Sequence, residues 1–201
     1  MQRSETGKDI KKAADILKNG GIVIYPTETV YGIGANIFSE KAVKKVFAAK
    51  KRAASKPVSV AVCSFNMMDG LVYISDEEKR FIRKFMPGPV TILLRKKETV
   101  PDMLTSGQDM VGIRYPDHRI ALKLIELAGI PITSTSANIS GETPPGSVDD
   151  LRIMGDYVLD FGECRGEPST VVDIVNRKIL RKGARSNEVA AALEELMLSE
   201  V

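Results

Sequence analysis

Between Lys41 and Lys56 the chain places seven cationic side chains in sixteen residues and no acid, KAVKKVFAAKKRAASK, directly after the glycine-bearing segment PTETVYGIGAN, Pro26 to Asn36. Lys and Arg held beside a turn rich in backbone donors suit a polyanion such as nucleotide phosphates, pyrophosphate or an RNA backbone. The competing reading is a solvated helix face, the usual fate of a charge run taken alone. Other polar groups favour the first reading. Thr27, Glu28 and Thr29 follow the first apolar run, Arg114 ends the run MVGIR, and Ser134, Ser136 and Asn138 follow the run PITST. In open α/β sheets ligands bind beside such strand ends, where backbone donors and helix N-termini converge.

Each of these residues also has a plainer reading. Thr27 and Thr29 can simply close a turn. Lys50, Lys51, Arg52 and Lys56 can be solvated, although Arg52 stands in a small-residue loop from which a phosphate is within reach. Arg114 either pairs with a structural carboxylate or grips an anionic ligand bidentately. Ser136 and Asn138 in TSANISG form either a turn cap or a concave set of anion donors. Gly32, Gly34 and Gly141 read as turn formers, since their spacing fits neither the P-loop nor the dinucleotide fingerprint. His118, the sole histidine, reads as helix-start packing ahead of a general base.

The elements that must position these groups follow from periodicity and breakers. Asp9–Asn19 has helical apolar spacing and stops at Gly20-Gly21, and GIVIYP is a buried strand stopped by Pro26. Helices are expected over Glu40–Ala49, Asp76–Met86, Asp117–Ala128 (capped by Asp117 or the chain just before it) and Ser186–Leu198, with Ser186 as N-cap. Strands are expected at PVSVAVC, TILLRK, MVGIRYP, Ile130–Ser134, YVLDFG, STVVDIV and KILRKG, the last third reading as antiparallel hairpins. The expected architecture is α/β, one domain over residues 1–201, a twisted mixed sheet flanked by helices. The 201 residues, 43% hydrophobic, suffice for a sizeable core. A net charge of +3 permits a nucleic-acid partner without demanding one. Two distant cysteines and one histidine argue against a Cys/His zinc site or a disulfide framework. The N-terminal residues lack an apolar leader core and no apolar run is long enough to span a bilayer, so a cytoplasmic protein without a membrane partner is expected.

PTETVYGIGAN, the Lys50-x-Arg52…Lys56-Pro57 segment, PGPVT (Pro87–Thr91), VGIRYPDH (Val111–His118), TSANISG (Thr135–Gly141), STVVD (Ser169–Asp173) and LRKG (Leu180–Gly183) occur in this order. Together they resemble the YrdC family of threonylcarbamoyl-AMP synthases in its short form. The resemblance implies a twisted α/β sheet around a large basic cleft. It also implies a nucleotidyltransferase that condenses L-threonine, bicarbonate and ATP, accompanied by Mg2+, into threonylcarbamoyl-adenylate and pyrophosphate. A threonylcarbamoyl-transferase partner enzyme would then act on tRNA.

Carried over by motif position, Thr29 contacts the threonine with Thr27 beside it, Arg114 clamps its carboxylate, Ser134 binds at the same end, and Ser169 lines it. Lys50, Arg52 and Lys56 hold the ATP phosphates, Lys50 and Arg52 being the catalytic pair, while Ser136, Asn138 and Arg181 complete the nucleotide site. Longer relatives have Asn and His where this chain has Lys56 and Ala61. The rivals are a non-catalytic RNA-binding module for tRNA or double-stranded RNA, the carbamoyl-adenylate chemistry of hydrogenase maturation, and a scaffold. The first is weakened by the small number of aromatics and the missing RNA-recognition motif, the second by the absence of accessory domains. A scaffold has no need for so many polar groups at strand ends.

Overall fold

The computed structural model describes residues 7–164 and 166–198, so that the N-terminal segment 1–6 lies outside the described residues. Helix α1 (Gly7–Lys18) buries Ile10, Ala13, Ala14 and Leu17, one stripe at helical spacing. It leads into β1 (Ile22–Tyr25), buried throughout, and β2 (Gly32–Ala35). Helix α2 (Glu40–Ala49) opens where the Ser39 hydroxyl accepts the Ala42 N–H. Then come β3 (Ser59–Ala61), α3 (Phe65–Asp69) and α4 (Asp76–Phe85), whose first turn is closed reciprocally by Ser75 and Glu78. Strand β4 (Val90–Arg95), α5 (Asp102–Thr105), β5 (Met110–Arg114) and α6 (Arg119–Ala128) follow. The chain finishes with β6 (Ile132–Ser136), a 3-10 turn at Val148–Asp150, β7 (Tyr157–Val158), β8 (Thr170–Asp173), β9 (Lys178–Arg181) and α7 (Ser186–Leu198).

The strands form one nine-stranded mixed sheet in the order β7-β1-β2-β6-β3-β5-β4-β8-β9. Strand β6 joins its two halves. Its first residues pair with β3, Ser59 opposite Ser134 and Ala61 opposite Ile132, and its last with β2, Gly32 opposite Ser136. Helices α1 and α6 bury Leu17, Leu124 and Ile125 against Val23 and Ile132. Helices α4 and α7 bury Phe81, Phe85, Val189 and Leu193 with Ile92 and Val172, and α2 covers Ile24 and Ile33 with Ala42 and Val46. Among the described residues no helix is long and apolar enough to cross a membrane.

Five expectations about local structure are corrected. Gly32 and Gly34 lie in β2, not in a turn. A Cβ on Gly34 would sit 2.8 Å from Ile132 Cδ1 and 3.0 Å from Tyr25 Cε1, so these glycines make room for the Tyr25 ring. Strand β6 continues past Ser134, where the expected strand ended, so that Ser136 belongs to it as well, because the hydroxyl-bearing face is open to a cleft and needs no apolar side chain. Helix α6 starts at Arg119 with His118 at the cap position and no side-chain cap bond, and the Asp117 N–H just before it donates to Glu28 Oε1 at 2.8 Å. Ser186 is the first residue of α7, the preceding turn being made by Arg185 at φ 60°. In the last third, β8 and β9 do form an antiparallel hairpin, but β7 and β8 join the sheet parallel to β1 and β4.

Candidate functional site

Side chains on a strand alternate between its two faces. On one face, Met110, Gly112 and Arg114 of β5, Thr91 and Leu93 of β4, Ser134 and Ser136 of β6 and Ser59 of β3 are left uncovered by helices and floor a cleft of about 480 Å³. Thr27, Thr29, Lys50, Arg52, Asn138, Ser169 and Arg181 form its walls. Lys50 and Arg52, Arg114, and Arg181 come from three different segments, and Glu142 is the only carboxylate among the described lining residues.

The cationic run divides. Lys41, Lys44, Lys51 and Lys56 are exposed, Lys44 pairing with Glu40 one helical turn away and Lys45 with Asp156. The solvated-face reading therefore fits most of the run. Lys56, expected at the phosphates, does not line the cleft, and its carbonyl accepts from Arg52 Nε at 3.1 Å. Arg52 also donates Nη2 to the Pro57 carbonyl at 2.7 Å, which holds its guanidinium at the cleft wall.

Lys50 is 1% exposed. Its Nζ donates to the carbonyls of Ser136 and, at 2.8 Å, Asn138. Burial, with the Arg52 charge adding to it, brings its pKa down to about 8. The segment it grips is knotted internally. Ser136 Oγ donates to Asn138 Oδ1, and Asn138 Nδ2 donates to the carbonyls of Ile139 and Glu142 at 2.9 and 2.6 Å.

At the other end Thr27 closes the turn after β1. Its hydroxyl donates to the Val30 carbonyl at 2.6 Å and accepts the N–H groups of Thr29 and Val30, both at 3.2 Å. With that proton spent, Thr29 Oγ1 donates across 2.9 Å to Thr27 and keeps its lone pairs to accept, as an ammonium requires. Across the cleft Arg181 fixes Ser169, with Nη2 2.7 Å from its carbonyl and 3.1 Å from its hydroxyl, and Ser169 Oγ lies 3.0 Å from Thr91 Oγ1.

Arg114 is 4% exposed. Nη1 donates to the carbonyls of Gly88 and Val90, and Nη2 forms an ion pair with Glu28 Oε1 at 2.8 Å. Burial pushes the pKa of the adjacent Tyr25 phenol far up, against the Arg114 charge and a hydrogen bond from Ser134, so the hydroxyl at the cleft floor stays neutral. His118 stands behind this group. Burial lowers its pKa while Glu28 and Asp117 oppose the shift, and it does not line the cleft.

Sequence reasoning missed Glu28 as the partner of Arg114, although it weighed a structural carboxylate there and singled out the PTET turn. It also missed Ser59, Thr91 and Gly112. A Cβ on Gly112 would lie 2.5 Å from Ser59 Oγ, so the floor is flat where the three strands meet. A signal existed in the alternation of SVA, VTILLR and MVGIR, which places Ser59, Thr91 and Gly112 on the Arg114 face once strand pairing is known. No three His, Cys, Asp or Glu side chains are grouped to hold a metal among the described residues.

The chain matches the family model described as Telomere recombination (Sua5, YciO, YrdC) over residues 15–183. A Methanocaldococcus jannaschii protein is 44% identical over 179 residues, covering 85% of this chain and 84% of that one. The threonylcarbamoyl-AMP synthase of Pyrococcus abyssi is 44% identical over 171 residues, covering 82% of this chain and 50% of its own length. The crystal structure of Pyrococcus abyssi Sua5 complexed with L-threonine superposes with a TM-score of 0.83 at 42% identity, covering 90% of this chain and 56% of the other. This chain thus spans about half the length of the Pyrococcus protein. On the family match and these identities together, the chain belongs to the Sua5/YciO/YrdC family.

Proposed function

We propose that this protein is a threonylcarbamoyl-AMP synthase, a nucleotidyltransferase converting L-threonine, bicarbonate and ATP to threonylcarbamoyl-adenylate and pyrophosphate in the cytoplasm. The observation that carries this reading is the meeting of Lys50, Arg52, Arg114 and Arg181 over one hydroxyl-floored cleft, in a chain 44% identical to a protein of that name. The threonine complex of the similar Pyrococcus Sua5 supports the amino-acid substrate.

Bicarbonate, the threonine carboxylate and the triphosphate repel one another, so a cationic site must offset that repulsion before any bond forms. Arg114 and Ser134 would hold the threonine carboxylate, and Thr29, backed by Thr27, would accept from its amine. Ser169, fixed by Arg181, would line the same end. The amine takes up bicarbonate carbon as carbamate with loss of water, and a carbamate oxygen attacks the α-phosphorus with pyrophosphate leaving. No protein nucleophile is used. Arg52 and Arg181 neutralise charge that develops on the phosphates, and the Lys50 ammonium adds to the field from behind the Ser136–Asn138 turn. Mg2+ would enter together with ATP and offset its phosphate charge, since the described lining residues offer a single carboxylate, Glu142. The product suits a transferase partner that places the threonylcarbamoyl group on tRNA.

The test is pyrophosphate release from ATP and bicarbonate with and without L-threonine, with L-serine as control. Release that depends on threonine supports the reading. Salt-sensitive RNA binding without such release would favour the RNA-binding alternative.

A further inference from the structure

Lys50 makes three bonds to one short segment and uses both main chain and side chain to do so. Its Nζ donates to the carbonyls of Ser136 and Asn138, and its own carbonyl accepts the Ser140 N–H at 2.9 Å. These bonds tie the C-terminal end of α2 to the end of β6 and the turn beyond it. Two carbonyls are good partners for a compact ammonium, and with 1% exposure water is no substitute for them. The clamp spans the two walls, joining the helix end that leads to Arg52 to the turn that carries Asn138.

We propose that Lys50 is a positioning residue that acts on the AMP part of ATP by locking the Ser136–Ser140 turn, and does not itself ligate the phosphates. This rests on the reading of the cleft as an ATP site. The phosphates are then left to Arg52 and Arg181, and losing Lys50 damages binding at the turn more than binding at those arginines.

Isothermal titration of AMP and of inorganic pyrophosphate into wild type, Lys50→Met and Lys50→Arg separates the roles. In Lys50→Met the AMP dissociation constant rises about tenfold or more, the scale of lost charge-assisted hydrogen bonds, while that of pyrophosphate changes by no more than about threefold. Lys50→Arg keeps the charge but does not restore AMP binding, because a planar guanidinium does not converge on the same two carbonyls. Amide hydrogen exchange at Asn138–Gly141 quickens in both variants while that of β1 does not. Loss of pyrophosphate binding in Lys50→Met at unchanged AMP affinity overturns the proposal, as does recovery of AMP affinity in Lys50→Arg. Should the Met variant fail to fold, the Arg variant and its exchange pattern still decide. If wild type binds neither probe, the ATP reading of the cleft falls, and the clamp's role with it.

Discussion

Arg114 and Glu28 meet at 2.8 Å behind the cleft, joining the end of β5 to the turn after β1. Glu28 Oε1 also accepts the Asp117 N–H, so one carboxylate anchors both the arginine and the entry to α6. A buried pair is costly to break because the surviving charge is left without compensation. Glu28→Ala is expected to lower the unfolding free energy by about 3 kcal/mol or more, read from urea denaturation. A loss under about 1 kcal/mol would mean the pair behaves as a surface ion pair.

His118 offers a clean probe of the same region, because the chain has one histidine. Burial lowers its pKa below the ordinary 6.5, and the Glu28 charge acts against that shift. The imidazole NMR titration of wild type should therefore have its midpoint below 6.5, and Glu28→Gln should move it lower still. The unfolded chain takes up the proton first, so this residue's contribution to stability is present above 6.5 and lost as the pH falls from 6.5 through the lower folded pKa. An unshifted midpoint would place His118 in solvent.

Lys50 has the opposite consequence at alkaline pH. Its folded pKa of about 8 lies below the ordinary 10.5, so from about 8 upward the folded state releases a proton that the unfolded chain still holds. Stability attributable to this residue therefore rises with pH from about 8 toward 10.5. The buried phenols of Tyr25 and Tyr31, both pushed up by burial, oppose it once unfolded tyrosines ionise above 10. The melting temperature of wild type minus that of Lys50→Met should thus grow between about pH 8 and 10. A constant difference would refute the depressed pKa.

Arg52 is held by the carbonyls of Lys56 and Pro57 at the edge of the cleft and owes nothing to the core. Arg52→Ala should cost little stability but lower kcat for threonine-dependent pyrophosphate release about 100-fold, the scale seen when one preorganised donor is removed. The threonine KM should move far less. Full turnover in this variant would remove Arg52 from the phosphate-stabilising role.

Gly34 faces the Tyr25 ring and Ile132 too closely for any side chain. Gly34→Ala is expected to destabilise by about 1–3 kcal/mol through overpacking, measured by thermal or urea unfolding. A neutral change would mean that Ile132 Cδ1 and the Tyr25 ring give way to the added methyl at little cost.

Much of the fold was legible because local rules govern it. The α2 span Glu40–Ala49 was readable from apolar spacing, and the burial of Ala42, Val43 and Val46 follows that spacing. Strands β4 and β5 were readable from runs of β-branched and apolar residues ended by breakers. Gly32 and Gly34 were misread because a glycine needed for a neighbouring ring looks, in one dimension, like a glycine needed for a turn. The sole histidine was placed correctly at the start of α6, but the anchoring of the Asp117 N–H by Glu28 was not readable, because Glu28 is distant in sequence.

By itself the sequence determined the order of the elements, the motif set that ties the chain to its family, and the clustering of cations after the PTET turn. Those are properties of neighbours along a chain. Only the tertiary structure decided that Lys50 and Arg52 reach the cleft while Lys41, Lys44 and Lys56 face solvent, because one face of α2 alone meets the sheet and, beyond the helix end, the bonds of Arg52 to the Lys56 and Pro57 carbonyls set which loop side chain lies along the cleft wall. It also decided that Glu28 pairs with Arg114 and that the Ser136–Ser140 turn is clamped by Lys50. Both depend on strand pairing, which brings together groups that no local pattern connects.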